Sequence, residues 1–145
     1  MKPIIFSTLM IQAILDGKKT QTRRIVKPQP PQFMDYFEKR GDGFKAYMVP
    51  GEPCDYPLIK PRYQPGDILW VRETWAKRIH SDNRYYYRAD NNLGAIFNRE
   101  DDKWRSPIFM PREAARIFLR VTNVRVERVQ DITAHDAIRE GMESE

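Results

Sequence analysis

The chain has 145 residues, 25 Lys and Arg against 20 Asp and Glu, a net charge of +5 and a pI near 9.4. That length suits one domain with a core needing no staples, and 41% hydrophobic with 31% charged residues excludes a disordered chain. A single cysteine, Cys54, excludes an internal disulfide, and with only His80 and His135 beside it a Cys/His structural zinc site is excluded too.

No apolar run approaches the roughly 18–20 residues that span a membrane. Met1 to Ser7 turns polar too soon for a signal peptide, so a cytoplasmic protein is expected. The excess of basic residues favours phosphate-bearing partners through counterion release, a tendency many ordinary enzymes share.

Residues 3–6 read as a first strand or extended lead-in. Ser7 is a good N-cap, and Leu9, Met10, Ala13 and Ile14 recur at helical spacing up to Gly17, which predicts a helix over 8–16. Lys18 to Val26 alternates and is β-prone, so a strand is expected there. From about 27 to 64 the chain carries seven of its eleven prolines, a long excursion with a small hairpin near 44–49. Pro65-Gly66-Asp67 is a turn before a strand over 68–75, and 84–89 reads as another strand. Residues 111–116 suit one helical turn. Residues 117–129 alternate apolar with polar, which predicts one long half-buried strand. Thr133 caps a last helix over 135–141, with Ala134, Ala137 and Ile138 inward. Strands dominate without a βαβ order, so the expected fold is α+β with a curled, mixed sheet approaching a barrel and short flanking helices.

The densest chemistry lies in Gly17-Lys18-Lys19-Thr20-Gln21-Thr22-Arg23-Arg24. In an extended segment Thr20, Thr22 and Arg24 share one face, and Lys19, Gln21 and Arg23 the other. A lysine among cations has its pKa lowered and can serve as a base for a hydroxyl, and cations beside hydroxyls suit phosphate or carbonyl oxygen. A solvated basic strand is the bland alternative.

This run, with "PGDILWVRETW" and "VERVQDITAHDAIREGM", resembles the ASCH domain family, relatives of the PUA-like RNA-binding fold, and looks most like its phage and prophage branch. The signature Gly-x-Lys-x-x-x-x-Arg is matched by Gly17, Lys19 and Arg24, and the Gly-Asp opening the next strand by Gly66 and Asp67. The resemblance covers both ends of the chain and its middle strand. It makes the segments at about 27–64 and 78–106 insertions in a single domain. It implies a PUA-like pseudo-barrel and a cleft for a nucleobase, nucleoside or RNA. The small amidohydrolase branch hydrolyses N4-acetylcytidine with a Lys, a Thr and a Glu, which map to Lys19, Thr22 and Glu140. Thr22 Oγ attacks the acetyl carbonyl or positions water, Lys19 takes the proton and Glu140 returns one to the leaving amine. Arg24 steadies the base or the oxyanion. A non-catalytic RNA- or nucleotide-binding module of phage origin and a metal-independent ribonuclease are the alternatives. The resembled barrel continues with a further strand after the Glu-bearing helix, so a fold lacking that last strand is among the expectations.

Other candidates are weaker. Arg72 or Glu73 can line the pocket, with an Arg–Glu pair across neighbouring strands as the alternative. The ligand-binding set is therefore Arg23, Arg24, Arg72 and Glu73. Trp70 and Trp75 read as core rather than as stacking platforms. Tyr85, Tyr86 and Tyr87 between Arg84 and Arg88 suggest a single-strand nucleic-acid patch or, as preferred here, an ordinary strand. Cys54 has no base nearby, His80 and His135 read as a loop residue and a helix-start residue, and Asp90-Asn91 and Asp101-Asp102 read as solvated turns. No metal, no cofactor and no DNA-specific motif is indicated, and the oligomeric state stays open.

Overall fold

The computed structural model describes residues 1–52, 55–77, 84–90 and 103–141. The expectations for Cys54, His80, Asn91, Asp101, Asp102 and the chain beyond Gly141 lie outside these residues. Among the described residues the chain is α+β, with a three-stranded mixed sheet, two two-stranded ribbons and two short α-helices.

β1 (Lys2–Ile5) runs parallel to β4 (Ile68–Arg72), and β4 pairs antiparallel with β7 (Phe118–Arg120). β2 (Tyr36–Arg40) and β3 (Gly43–Tyr47) form a hairpin, and β5 (Trp75–Lys77) pairs with β6 (Tyr85–Tyr87). Between β1 and β2 lies helix α1 (Thr8–Leu15), and helix α2 (Ala134–Arg139) follows β7. The turn before β4 is as its sequence asks. Gly66 takes φ +92, where other L-residues are strained, and the Asp67 carboxylate accepts from Gln64 N and Lys2 Nζ at 2.8 and 2.6 Å.

The two-residue period of the strands sorts the sheet into two faces. Ile4, Leu69 and Val71 are buried on one face, with Phe6, Ile11 of α1 and half-buried Leu119 packed alongside. Ile5, Trp70, Arg72, Phe118 and Arg120 occupy the other. Trp75 belongs to a second cluster with Met110 and Ala114. Thus Trp75 is core, whereas Trp70 is half-buried on the open face, against the expectation that both are core.

Several expected elements take another form. Among the described residues the sheets do not close into a barrel. Residues 18–26 form no strand, because their first N–H groups turn to helix carbonyls: Lys18 and Lys19 donate to Ala13 O, and Thr20 and Gln21 to Arg139 O. The alternation in 117–129 yields only the three residues of β7, although Val121, Val124 and Val126 still pack inward. Alternation reports which side is buried; a strand also needs a neighbour to accept its N–H groups. The strand over 68–75 breaks at Glu73, whose N–H meets Met110 Sδ at 3.3 Å, and Trp75 starts β5. In α2, Ala134 and Ile138 are exposed rather than inward, and only Ala137 of the expected three is half-buried.

The hairpin in the proline-rich excursion lies somewhat earlier than expected. Its residues Phe44 and Ala46 form a third cluster with Ile59, joined by Val26, Val124 and Val126. Gly43 has no space for a side chain, since a Cβ there would stand 2.7 Å from Leu58 Cγ. The tyrosine strand is of the ordinary kind. Tyr87 Oη donates to Ala114 O at 2.6 Å, Tyr85 Oη bonds Glu113, and the Tyr85 ring packs on Trp75 at 5.8 Å.

Candidate functional site

Helix α1 ends where Gly17, at φ +72, lets the chain reverse, and Lys19 to Arg24 then crosses the C-terminal end of α2. A helix end leaves carbonyls without intrahelical partners. Lys19 and its neighbours supply them. Lys19 Nζ donates to Glu140 O at 2.7 Å and Gln21 O at 2.8 Å, and Gln21 Nε2 donates to Asp136 O at 2.9 Å. Placing a cation at this end also suits the helix dipole.

The alternation expected of this segment persists without a β-ladder. Lys19, Gln21 and Arg23 turn towards α2. Arg23 Nη1 meets the Glu140 carboxylate at 2.5 Å and Nη2 meets Glu127 at 2.7 Å, with Asp136 at 3.6 Å. Arg125 completes the network through Glu127 at 3.0 Å and Asp136 at 2.8 Å. Arg24 goes the other way. It donates to Thr22 Oγ1 at 2.9 Å, Arg23 O at 2.8 Å and Ile5 O at 3.1 Å.

Phe6 is the meeting point. Its buried ring has Lys19 Nζ at 5.8 Å and the Arg24 guanidinium at 5.5 Å from its centroid. Lys19 itself is 7% exposed, and burial holds its amine below the ordinary lysine value. The Glu140 charge opposes that shift and the Arg24 charge adds to it. The structure thus brings Lys19, Thr22, Arg23, Arg24 and Glu140 into one cluster. The Glu140 carboxylate is turned to Arg23, while its carbonyl faces Lys19.

Arg72 adjoins this cluster. It pairs in register with Ile5, whose carbonyl Arg24 holds, and its guanidinium lies 5.3 Å from the Trp70 ring centroid. Among the described residues its guanidinium makes no hydrogen bond, and its Nε is shielded from solvent. Glu73 does not adjoin the cluster. Its side chain is 1% exposed and gripped by Arg116 at 2.9 and 3.0 Å. Arg116 also holds Asp90 at 2.6 Å, so Asp90 is an ion-pair partner rather than a solvated turn residue. The expected alternative is an Arg–Glu pair across neighbouring strands; the pair formed here joins two positions outside the strands, Glu73 after β4 and Arg116 before β7. His135 is exposed in the first turn of α2.

Sequence reasoning missed Gln21, Arg125, Glu127 and Asp136. The one cue was charge: a basic run needs carboxylates, and Glu127 and the helix-start Asp136 supply them, with Arg125 pairing to both. The Asp136 carboxyl is held well below the usual carboxylate range by the Thr133 hydroxyl, then Arg125, then Gln21. Its contribution to stability is therefore complete above the unfolded value and is lost as pH falls below about 4. Thermal unfolding across pH 7 to about 2 checks this, with Asp136→Asn expected to flatten the acid limb. An unchanged acid limb in the variant contradicts it.

Among the described residues no cluster of His, Cys, Asp and Glu is arranged to hold a metal ion, and no helix is long and apolar enough to cross a membrane. Compared with protein-family models, curated proteins and solved structures, the chain matches none.

Proposed function

We propose that this chain is an ASCH-like, PUA-related domain that binds a nucleobase, nucleoside or RNA at the corner around Phe6. One observation carries the reading. Arg24 and Lys19 flank the Phe6 ring, and their hydrogen-bond partners among the described residues are uncharged oxygens. Arg23, by contrast, is matched by carboxylates. Positive charge is thus left at the corner for an anionic ligand, beside donors and a hydroxyl that suit a base or carbonyl edge. The residues that carry the ASCH resemblance, Gly17, Lys19 and Arg24, are those that build this corner.

A second reading, hydrolysis of an acylated cytidine, is favoured by the state of Lys19. Taking the proton of Thr22 requires Lys19 to give up its own proton, which burial eases, and to turn from the Gln21 and Glu140 carbonyls towards the Thr22 side of the segment. The N–H that Arg24 gives Thr22 Oγ1 favours developing negative charge on that oxygen. Proton delivery by Glu140 requires its pair with Arg23 to open. Incubating the protein with N4-acetylcytidine tests this directly. Deacetylation that Lys19→Ala and Thr22→Val both abolish is the expected result. Turnover equal to that of the Lys19→Ala variant removes the hydrolase and leaves the binding module.

A further inference from the structure

We propose that the open face of the three-stranded sheet is a stacking platform for unpaired RNA bases, leading a strand into the corner around Phe6. The inference rests on the nucleic-acid reading above and narrows it from a free nucleoside to a polynucleotide.

The register sets Trp70 between Pro3 on one side and Phe118 on the other, with Ile5 beside Arg72 in the next row. Cross-strand neighbours stand roughly 5 Å apart, so Trp70 and Phe118 leave the sheet side by side on the same face. Phe118 is 50% exposed and Ile5 is 43% exposed. These exposed apolar groups stand on the two outer strands with Trp70 and Arg72 of β4 between them, so together they span the width of the face.

The charges on this face identify the occupant. Arg72 and Arg120 lie among the apolar groups, and β1, β4 and β7 contain no acidic residue. The Arg72 guanidinium lies over Trp70 with its Nε shielded from solvent, and no described residue takes its terminal N–H groups. A polynucleotide answers both features: bases offer flat π-faces to Trp70 and Phe118, and phosphates offer acceptors to the arginines. A second copy of this face would set arginines against arginines. An uncharged apolar segment would cover the rings and leave Arg72 without acceptors. The platform is continuous with the corner, because Ile5 pairs with Arg72 on one side and gives its carbonyl to Arg24 on the other.

The test measures binding of a labelled uridine decamer and, separately, of cytidine to the full chain, Phe118→Ala, Arg72→Gln, Trp70→Phe and Arg24→Ala. Stacking energies imply that Phe118→Ala weakens decamer binding on the order of tenfold. Arg72→Gln is expected to act in the same direction and Trp70→Phe less, while Phe118→Ala keeps its melting temperature and its cytidine binding unchanged. Decamer binding that Arg24→Ala weakens but the Phe118 and Arg72 variants do not overturns the platform while the corner stands. Binding of cytidine without the decamer also overturns the platform alone. Binding of neither overturns both readings. Phe118-dependent binding to vesicles of phosphatidylserine and phosphatidylcholine, or Phe118-dependent dimers, with no decamer binding, overturns it in favour of a lipid surface or a second copy.

Discussion

Arg116→Ala is expected to lower the unfolding free energy by about 3–5 kcal/mol, the largest effect of any single substitution outside the apolar core. The Glu73 carboxylate is 1% exposed and both of its oxygens are met by Arg116. Removing the arginine leaves a buried charge with neither water nor a counterion. Asp90 and the Tyr87 ring, which lies 4.0 Å from the guanidinium carbon, lose their partner as well. Arg116→Lys is a poor replacement, because a point-like ammonium cannot meet two oxygens in parallel and also reach Asp90. Glu73→Leu with Arg116→Leu is expected to recover much of the loss, since an apolar pair of similar size carries no desolvated charge. Urea unfolding of the two single variants and the double variant checks this. A double variant no more stable than Arg116→Ala would show that packing, not the stranded carboxylate, sets the cost.

Local signals were legible where a residue's chemistry acts on its own backbone. Ser7 and Thr133 accept the N–H groups of Met10 and Asp136 as N-caps, Gly17 and Gly66 take the positive φ their turns need, and the hairpin sits inside the proline-rich stretch. Pairing was not legible. Lys18–Val26 and Thr122–Val129 have the alternation of strands, yet among the described residues neither enters a ladder and the expected barrel does not close. For the candidate site, the motif Gly17, Lys19, Thr22, Arg24 located the cluster and alternation sorted its faces correctly. The partners of each cation depend on what the chain brings from residues 125–140, which no local rule reaches. That is why Arg23 and Arg24, adjacent and chemically identical, were given the same expected role and have different surroundings.

The difference between those two arginines makes the sharpest functional prediction. Arg23 lies against Glu127, Glu140 and Asp136, so its charge is cancelled where it stands. Among the described residues Arg24 contacts the oxygens of Thr22, Arg23 and Ile5 and the Phe6 ring, and no carboxylate. A phosphate arriving at the corner gains from Arg24 and little from Arg23. Arg24→Ala is therefore expected to weaken RNA binding about tenfold at low salt and to reduce the salt slope by about one. Arg23→Ala is expected to act on the fold instead. It leaves Glu140 without its ion-pair partner at the end of α2 and frees the helix that holds Lys19 in place, so the melting temperature falls while the salt slope stays near that of the unmodified chain. Binding titrations across about 50 to 300 mM potassium chloride, with melting curves of the same samples, separate the two. Equal slopes for Arg24→Ala and the unmodified chain would mean that the ligand's charge is met elsewhere. An Arg23→Ala slope that drops with no change in melting temperature would mean that the carboxylate network opens to let Arg23 reach the ligand.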